Sequence, residues 1–282
     1  MKILLTGSAG FTGHHLALSA QAAGHQVLPL QADLTDQAAV AAEVRQAAPD
    51  AVVHLAAISF VGHADDSDFY RVNVIGTMNL LAALSALPQP PAKVLLASSA
   101  NIYGNCDASP ITEDQPPAPV NHYAASKLAM EHMARTFADR LPIVITRPFN
   151  YTGAGQGGQF LIPKLVDHFA RKAPRIELGN LHVEREFNDV RMVCSAYMAL
   201  LTHGQAGQAY NVCTGQTYTL QNVLDRLTAI TGHTLDVQVN PAFVRANEVH
   251  RLCGNPAQLL ACTGPSPGYA LSDTLQWMLE SA

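Results

Sequence analysis

The feature that most constrains this chain lies at its very start. An apolar run, Ile3 to Leu5, stops at Thr6, and glycines follow at positions 7, 10 and 13 in "TGSAGFTG". A short apolar run that ends in closely spaced glycines and then takes up helical periodicity reads as a buried strand, a tight turn and a helix. Gly7 permits the positive φ that the turn needs, Gly10 lets a ligand approach the main chain, and Gly13 lets the new helix pack against the strand. Amides at the start of that helix have no partner within it and favour an anion. In the context of a flanking strand and helix, the turn predicts dinucleotide binding.

The rest of the chain repeats the alternation. Strands are expected at Ile3 to Thr6, Gln26 to Leu30, Ala51 to Leu55, Lys93 to Ser98 and Ile143 to Thr146. Helices are expected at Phe11 to Ala23, Asp36 to Ala47, Asp68 to Leu87, His122 to Arg140 and Pro163 to Lys172. Fully apolar strands separated by helices imply an α/β fold, a Rossmann-type doubly wound parallel sheet covered on both faces. Between Gly24 and Asp50 there is room for one strand and one helix only. One crossover helix is therefore expected to be lost between the second and third strands, with Ala32 to Leu34 at most a vestigial strand.

After Asn150 the texture changes. A glycine-rich loop, "YTGAGQGGQF", leads into helices and strands in mixed order, with a strand at Tyr210 to Cys213 and a helix at Leu220 to Thr231. Turn-rich "CTGPSPGY" precedes a last helix, Leu271 to Leu279. The expected division is a dinucleotide-binding Rossmann domain over 1–158 and 188–214, and a smaller mixed α/β substrate lobe over 159–187 and 215–282.

Composition narrows the class of ligand. The 282 residues are 48% hydrophobic and 14% charged with a formal net charge of −5, so no basic surface for nucleic acid or an anionic membrane is suggested. A small molecule is the expected partner. Met1 leads straight into the first strand with no charged leader, and no run of eighteen apolar residues occurs, so a soluble cytoplasmic protein is expected. Five cysteines without paired spacing imply reduced thiols. No metal site is expected, because His14 and His15 lack further ligands.

Chemistry enters with "NHYAASKLAMEH". Tyr123 and Lys127 are four apart on an expected helix and so share one face. A phenol beside an ammonium is a tuned proton donor: lowering a tyrosine from about 10 to about 7 takes roughly 4 kcal/mol of preference for the phenolate. The ribose-binding acid usual after the second strand is expected near Leu30 or Gln31, and neither is acidic. Asp33 comes two residues late and is assigned to the adenine ring, which leaves NAD and NADP both open.

Together these motifs resemble the extended short-chain dehydrogenase/reductase family. The likeness is carried by "TGSAGFTG", "HLAA" at His54 to Ala57, "NVIGTMNLL" from Asn73, "SSANIYG" at Ser98 to Gly104, the Tyr123/Lys127 pair and "RPFNYTGAGQ" from Arg147. The resemblance implies that Ser99, Tyr123 and Lys127 are catalytic: Ser99 hydrogen-bonds a substrate carbonyl, Tyr123 exchanges its proton, and Lys127 holds the nicotinamide ribose. It places Gly7, Gly10, Phe11, Thr12 and Gly13 at the coenzyme turn. Asp33, Leu34, Leu55, Ala56 and Ala57 would line the coenzyme, with Asn73 and Pro148 beside it. Asn101 and Asn150 would meet substrate, and Arg185, Arg245 and Glu248 would grip its diphosphate and ribose, a task suited to the planar guanidinium fork. His54 is expected at a strand end lining the coenzyme pocket, and Glu113 and Asp114 in a solvated loop.

Within that family, dehydratases follow the catalytic hydroxyl with Asp-Glu, because eliminating water needs an acid and a base. Here Ala100 and Asn101 stand there, which argues against a 4,6-dehydratase. The second lobe, from "LGNLHVEREFNDVRMVCSAYMALL" to "VRANEVHRLCGNPAQLLACTG", is similar to that of reductases of GDP-linked 4-keto-6-deoxyhexoses. This implies NAD(P)H-dependent reduction of a C4 ketone, GDP-4-keto-6-deoxy-mannose to GDP-rhamnose. Two alternatives stay open: a nucleotide-sugar 4-epimerase with tightly bound NAD, and a non-catalytic coenzyme-sensing protein. The helices near 68–87 and 122–140 resemble a pair that forms a homodimer interface in the family.

Overall fold

The computed structural model describes residues 1–181, 183–244, 250–265 and 267–282. Its first half runs β1 (Lys2–Thr6), α1 (Phe11–Ala22), β2 (Gln26–Pro29), α2 (Gln37–Ala47), β3 (Ala51–His54), α3 (Asp66–Tyr70), a π-helical stretch (Arg71–Gly76), α4 (Thr77–Ser85), β4 (Lys93–Ala97), α5 (His122–Arg135) and β5 (Ile143–Pro148). The second half runs β6 (Tyr151–Thr152), α6 (Leu161–Ala170), β7 (Arg175–Leu178), β8 (Glu184–Arg185), β9 (Asn188–Asp189), α7 (Val190–His203), β10 (Ala209–Val212), β11 (Tyr218–Thr219), α8 (Leu220–Thr231), β12 (Asp236–Val239), β13 (Arg251–Leu252), α9 (Ala257–Thr263) and α10 (Leu271–Glu280).

Six parallel strands form the main sheet in the order β10-β5-β4-β3-β1-β2. Alternation along each strand explains why helices cover both faces. Ile3, Leu5, Ala51 and Val53 point to the core shared with α1 and α7, through Leu16, Ala20, Val193 and Leu200. Leu4, Val52, Val94 and Leu96 point the other way, onto Val40, Leu80, Leu84 and Met130 of α2, α4 and α5. A separate core holds the smaller lobe together: Leu165 and Phe169 of α6, Ile176 of β7, Val223 and Leu227 of α8, and Leu275 of α10.

The doubly wound sheet agrees with the expectation from sequence. Ala32 to Leu34 carries no strand, and its physical role is different. The amides of Gln31 and Ala32 donate to the Glu43 carboxylate at 2.8 and 2.7 Å, while Leu34 is buried against Gly76. Side chains thus satisfy the backbone beyond β2, and β2 remains the sheet edge.

Two long helices differ from expectation. The segment predicted from Asp68 to Leu87 begins at Asp66, where Asp65 caps it, and widens to π-helix between Arg71 and Gly76. The helix predicted to reach Arg140 stops at Arg135, and the backbone tightens into successive three-residue turns through Thr136, Phe137 and Ala138. Helices α7 and α9 were not separately foreseen. Among the described residues, no helix is long and apolar enough to cross a membrane, and the five cysteines are free thiols.

Candidate active site

The glycine turn closes as its spacing demands. Gly7 has φ +69°, and its carbonyl accepts the Gly10 amide at 3.0 Å. A methyl group on Gly7 would lie 2.8 Å from the Ala56 nitrogen, and one on Gly13 would lie 2.0 Å from the Gly7 oxygen. No side chain caps α1 at Gly10 and no acid stands in its first turn. The result is a close-fitting backbone cradle with outward amides and a positive helix terminus, suited to a pyrophosphate. Leu55, Ala56 and Ala57 follow β3 beside it, half-buried.

Behind the cradle lies a hydrogen-bonded chain. Thr6 Oγ1 accepts the amides of Leu55 and Ala56, so its own hydrogen goes to His54 Nδ1 at 2.7 Å. Thr77 donates its hydroxyl hydrogen to the Asn73 carbonyl, so His54 Nε2 donates to Thr77 at 2.8 Å. His54 is thereby held as the neutral tautomer with hydrogen on Nε2. Burial, with the nearby Lys127 ammonium, lowers its pKa to about 3. His54 is 3% exposed, and this corrects the expectation that it lines the coenzyme pocket. Asn73, buried in the π-helical stretch, uses its carboxamide to pair with both main-chain groups of Ile58 and to reach Ser126, which donates to the Tyr123 carbonyl.

At the carboxyl ends of β4 and β5, the expected proton-handling residues converge. Ser99 lies two residues beyond β4, is 7% exposed, and accepts the Asn101 amide at 3.2 Å. Its side chain also lies close enough to Tyr123 to favour the ionised form of that phenol against burial. Helix α5, capped by Asn121, carries Tyr123 and Lys127 one turn apart, both buried. Lys127 Nζ donates to the Ala97 carbonyl at 2.7 Å. Burial lowers the Lys127 pKa to about 8, with Glu131 opposing.

In the chain by itself Tyr123 is a raised phenol. Burial raises it, the Ser99 side chain opposes the rise, and Lys127 faces Ala97 instead. The group at neutral pH is an intact phenol, a proton donor. Phe69 packs beside it with ring centres 6.2 Å apart.

Tyr151, within "RPFNYTGAGQ", is a further residue of the site that no sequence signal singles out. Its hydroxyl and that of Thr12 share a 2.8 Å hydrogen bond, and its ring stacks on Phe11. Burial raises its pKa to about 12, and it lies close enough to Tyr123 for the two to interact electrostatically.

Other expected residues are placed as follows. Asp33 is exposed and binds the amide and hydroxyl of Thr35, which hold its carboxyl below the usual range. Pro148 closes β5, buried, and Asn150 is exposed beyond it. Arg185 is 7% exposed in β8, donating to the carbonyls of Glu184 and His250. Beside it, fully buried Glu186 accepts the amides of Gly254 at 2.6 Å and Thr214 at 2.8 Å, clamping the ends of β10 and β13 together. Arg245 and Glu248 lie outside the described residues. Glu113 is not a free loop acid: it accepts the Asn211 amide at 2.7 Å and its carbonyl takes Arg147 Nη1 at 3.0 Å. The "TEDQPP" composition concealed that the loop folds back over β5 and β10.

A doubly wound sheet with a glycine cradle after its first strand, and serine, tyrosine and lysine at its carboxyl edge, defines the extended short-chain dehydrogenase/reductase class. The chain belongs to the family described as GDP-mannose 4,6 dehydratase, whose model matches residues 22–278. It is 36% identical to GDP-6-deoxy-D-talose 4-dehydrogenase of Aggregatibacter actinomycetemcomitans, over 94% of this chain and 92% of that one. It is 35% identical to GDP-6-deoxy-D-mannose reductase of Pseudomonas aeruginosa, over 99% and 96%. The solved structure of RMD from Pseudomonas aeruginosa complexed with NADPH superposes with TM-score 0.92 at 34% identity, covering 99% of this chain and 98% of that one. A Burkholderia cenocepacia structure described provisionally as an epimerase superposes with TM-score 0.93 at 48% identity, covering 99% and 97%.

Proposed function

We propose that this chain reduces the C4 ketone of a nucleotide-linked 4-keto-6-deoxyhexose, with GDP-4-keto-6-deoxy-mannose as the leading substrate and GDP-rhamnose as its product. The observation that carries the reading is the buried Tyr123 phenol, close enough to Ser99 for the two side chains to interact and one helical turn from Lys127. Relatives named for GDP-6-deoxyhexose chemistry and a neighbour solved with NADPH support the substrate class and the coenzyme.

A reduced nicotinamide coenzyme, NADH or NADPH, supplies the hydride when bound. The cradle of Gly7, Gly10, Phe11, Thr12 and Gly13 holds its pyrophosphate, Asp33 and Leu34 meet the adenine, and Lys127 holds the nicotinamide ribose. Ser99 hydrogen-bonds the C4 carbonyl oxygen, and Tyr123 gives that oxygen its proton as negative charge develops there. A phenol that burial keeps protonated suits this direction of proton flow. Asn101 and Asn150 orient the sugar. Arg185, Arg245 and Glu248 receive the diphosphate and ribose. Asn73 keeps α5 in place through Ser126.

The test supplies GDP-4-keto-6-deoxy-mannose with NADH or NADPH and follows loss of the reduced nicotinamide absorbance, with product configuration at C4 read by NMR. Stoichiometric oxidation of coenzyme is expected; no turnover with any nucleotide-linked ketosugar would overturn the reading. The Burkholderia neighbour favours one rival, a 4-epimerase, which would interconvert sugars with no net coenzyme consumption.

We further infer a cytoplasmic homodimer joined through residues 68–87 and 122–140. Tyr70 of α3, Ile75 of the π-helical stretch and Met78 of α4 are exposed apolar groups in that segment, supporting an apolar contact. The two-part division, 1–158 with 188–214 against 159–187 with 215–282, is supported by the separate core of α6, α8 and α10, although Leu259 of α9 packs with the large sheet. Sedimentation of the purified chain tests the dimer.

A further inference from the structure

The face of α5 that carries Tyr123 and Lys127 continues one turn further to Glu131, at the spacing i, i+4, i+8. Glu131 is 1% exposed. Its carboxylate receives the Arg147 fork, Nε at 3.0 Å and Nη2 at 2.8 Å, and Arg147 is itself 4% exposed. The remaining Arg147 nitrogen donates to the Tyr103 hydroxyl at 2.9 Å and the Glu113 carbonyl at 3.0 Å, and Tyr103 donates to Asn211 at 2.7 Å. This fully bonded ion pair joins β5 to α5 directly beneath the lysine.

We propose that Glu131, fixed by Arg147, is a positioning residue for the proton transfer, holding Lys127 as an ammonium in line with Tyr123. The proposal rests on the reading of Tyr123 and Lys127 given above.

The electrostatic setting makes this role specific. Lys127 has left water, and its ammonium donates to the Ala97 carbonyl. Facing it from β3 is His54, neutral because both ring nitrogens are committed to threonines. On its own helix are Tyr123, a phenol, and Glu131. The anion that acts on Lys127 is Glu131, and it favours the charged form against burial. Around the pair itself stand Arg147, Tyr103 and the half-buried Glu113, and burial pushes the Tyr103 phenol up to about 12, so it stays neutral. Arg147 keeps its charge throughout the working range and grips the Glu131 carboxylate with two nitrogens. A buried ion pair adds little stability over apolar residues of like volume, whereas removing one partner strands the other, so the two roles are separable by substitution.

Two readouts test this on the full-length chain. The first is the pH profile of kcat/KM for ketosugar reduction; the second is the 13Cε shift of Lys127, without coenzyme, assigned by its loss in Lys127→Arg. Glu131→Gln removes the anion and leaves Arg147 as a buried cation, so both the alkaline limb and the Lys127 titration are expected about one pH unit lower. The paired exchange Glu131→Met with Arg147→Met leaves no stranded charge. It is expected to melt close to wild type yet keep the lowered Lys127 titration, a result a merely structural pair would not give. If Glu131→Gln fails to fold, the paired exchange carries the test. An unchanged Lys127 midpoint in either folded variant would overturn the proposal. Full activity in Tyr123→Phe would instead overturn the underlying reading.

Discussion

Tyr151 and Thr12 meet hydroxyl to hydroxyl at 2.8 Å, tying β6 to the first turn of α1 across 139 residues of chain. Stacked on Phe11 and near enough to Tyr123 to interact with it electrostatically, one side chain stands between the glycine cradle and the proton donor. Tyr151→Phe keeps the ring and deletes the bond. A loss of about 1 kcal/mol is expected. That corresponds to a melting midpoint lower by about 2–4 °C for a chain of this size, measured by calorimetry.

Tyr123→Phe leaves the pocket filled and removes the proton. Reduction should slow roughly a hundred- to ten-thousand-fold. Coenzyme affinity, measured by fluorescence titration, should stay within about threefold, because the cradle is made of backbone around Gly7 and Gly10.

Gly13 and Gly158 offer a matched pair of substitutions. A methyl at Gly13 collides with the Gly7 oxygen, which is backbone and has nowhere to go, whereas Gly158 has open space around it. Gly13→Ala should cost about 3 kcal/mol and abolish coenzyme binding. Gly158→Ala should stay within about 0.5 kcal/mol in denaturant melts.

His54 makes the fold sensitive to acid. Its folded pKa, about 3, lies below the ordinary 6.5, so between these values the unfolded chain takes up a proton that the native one refuses. Stability is therefore complete above pH 6.5 and declines as pH falls, at up to about 1.4 kcal/mol per pH unit. Between pH 6.5 and 5, wild type should lose about 2 kcal/mol more than His54→Gln in urea melts, even though the variant starts less stable.

Ala100 and Asn101 occupy the positions where water elimination would need an acid and a base, and Ala100 is 1% exposed. GDP-mannose incubated with the protein and NAD should yield no 4-keto-6-deoxy product by mass spectrometry. Accumulation of a species lighter by one water would show that another pair supplies the elimination.

Local sequence determined the elements that local physics controls. A strand that meets three glycines must turn, short continuous apolar runs and helical apolar patterns place the main sheet and most helices, and a four-residue spacing puts Tyr123 and Lys127 on one face before anything packs. The crowded interval between Gly24 and Asp50 holds the one strand and one helix it has room for, β2 and α2, with no strand at Ala32 to Leu34. What tertiary structure decided are the relationships between segments distant in the chain. The Glu131–Arg147 pair, the Thr6–His54–Thr77 chain, Glu113 folded onto Asn211, and Tyr151 on Thr12 join residues that no periodicity relates. Protonation belongs to the same category: Tyr123 is a phenol, His54 neutral and Lys127 lowered because of what surrounds them, and burial exists only once the chain has folded.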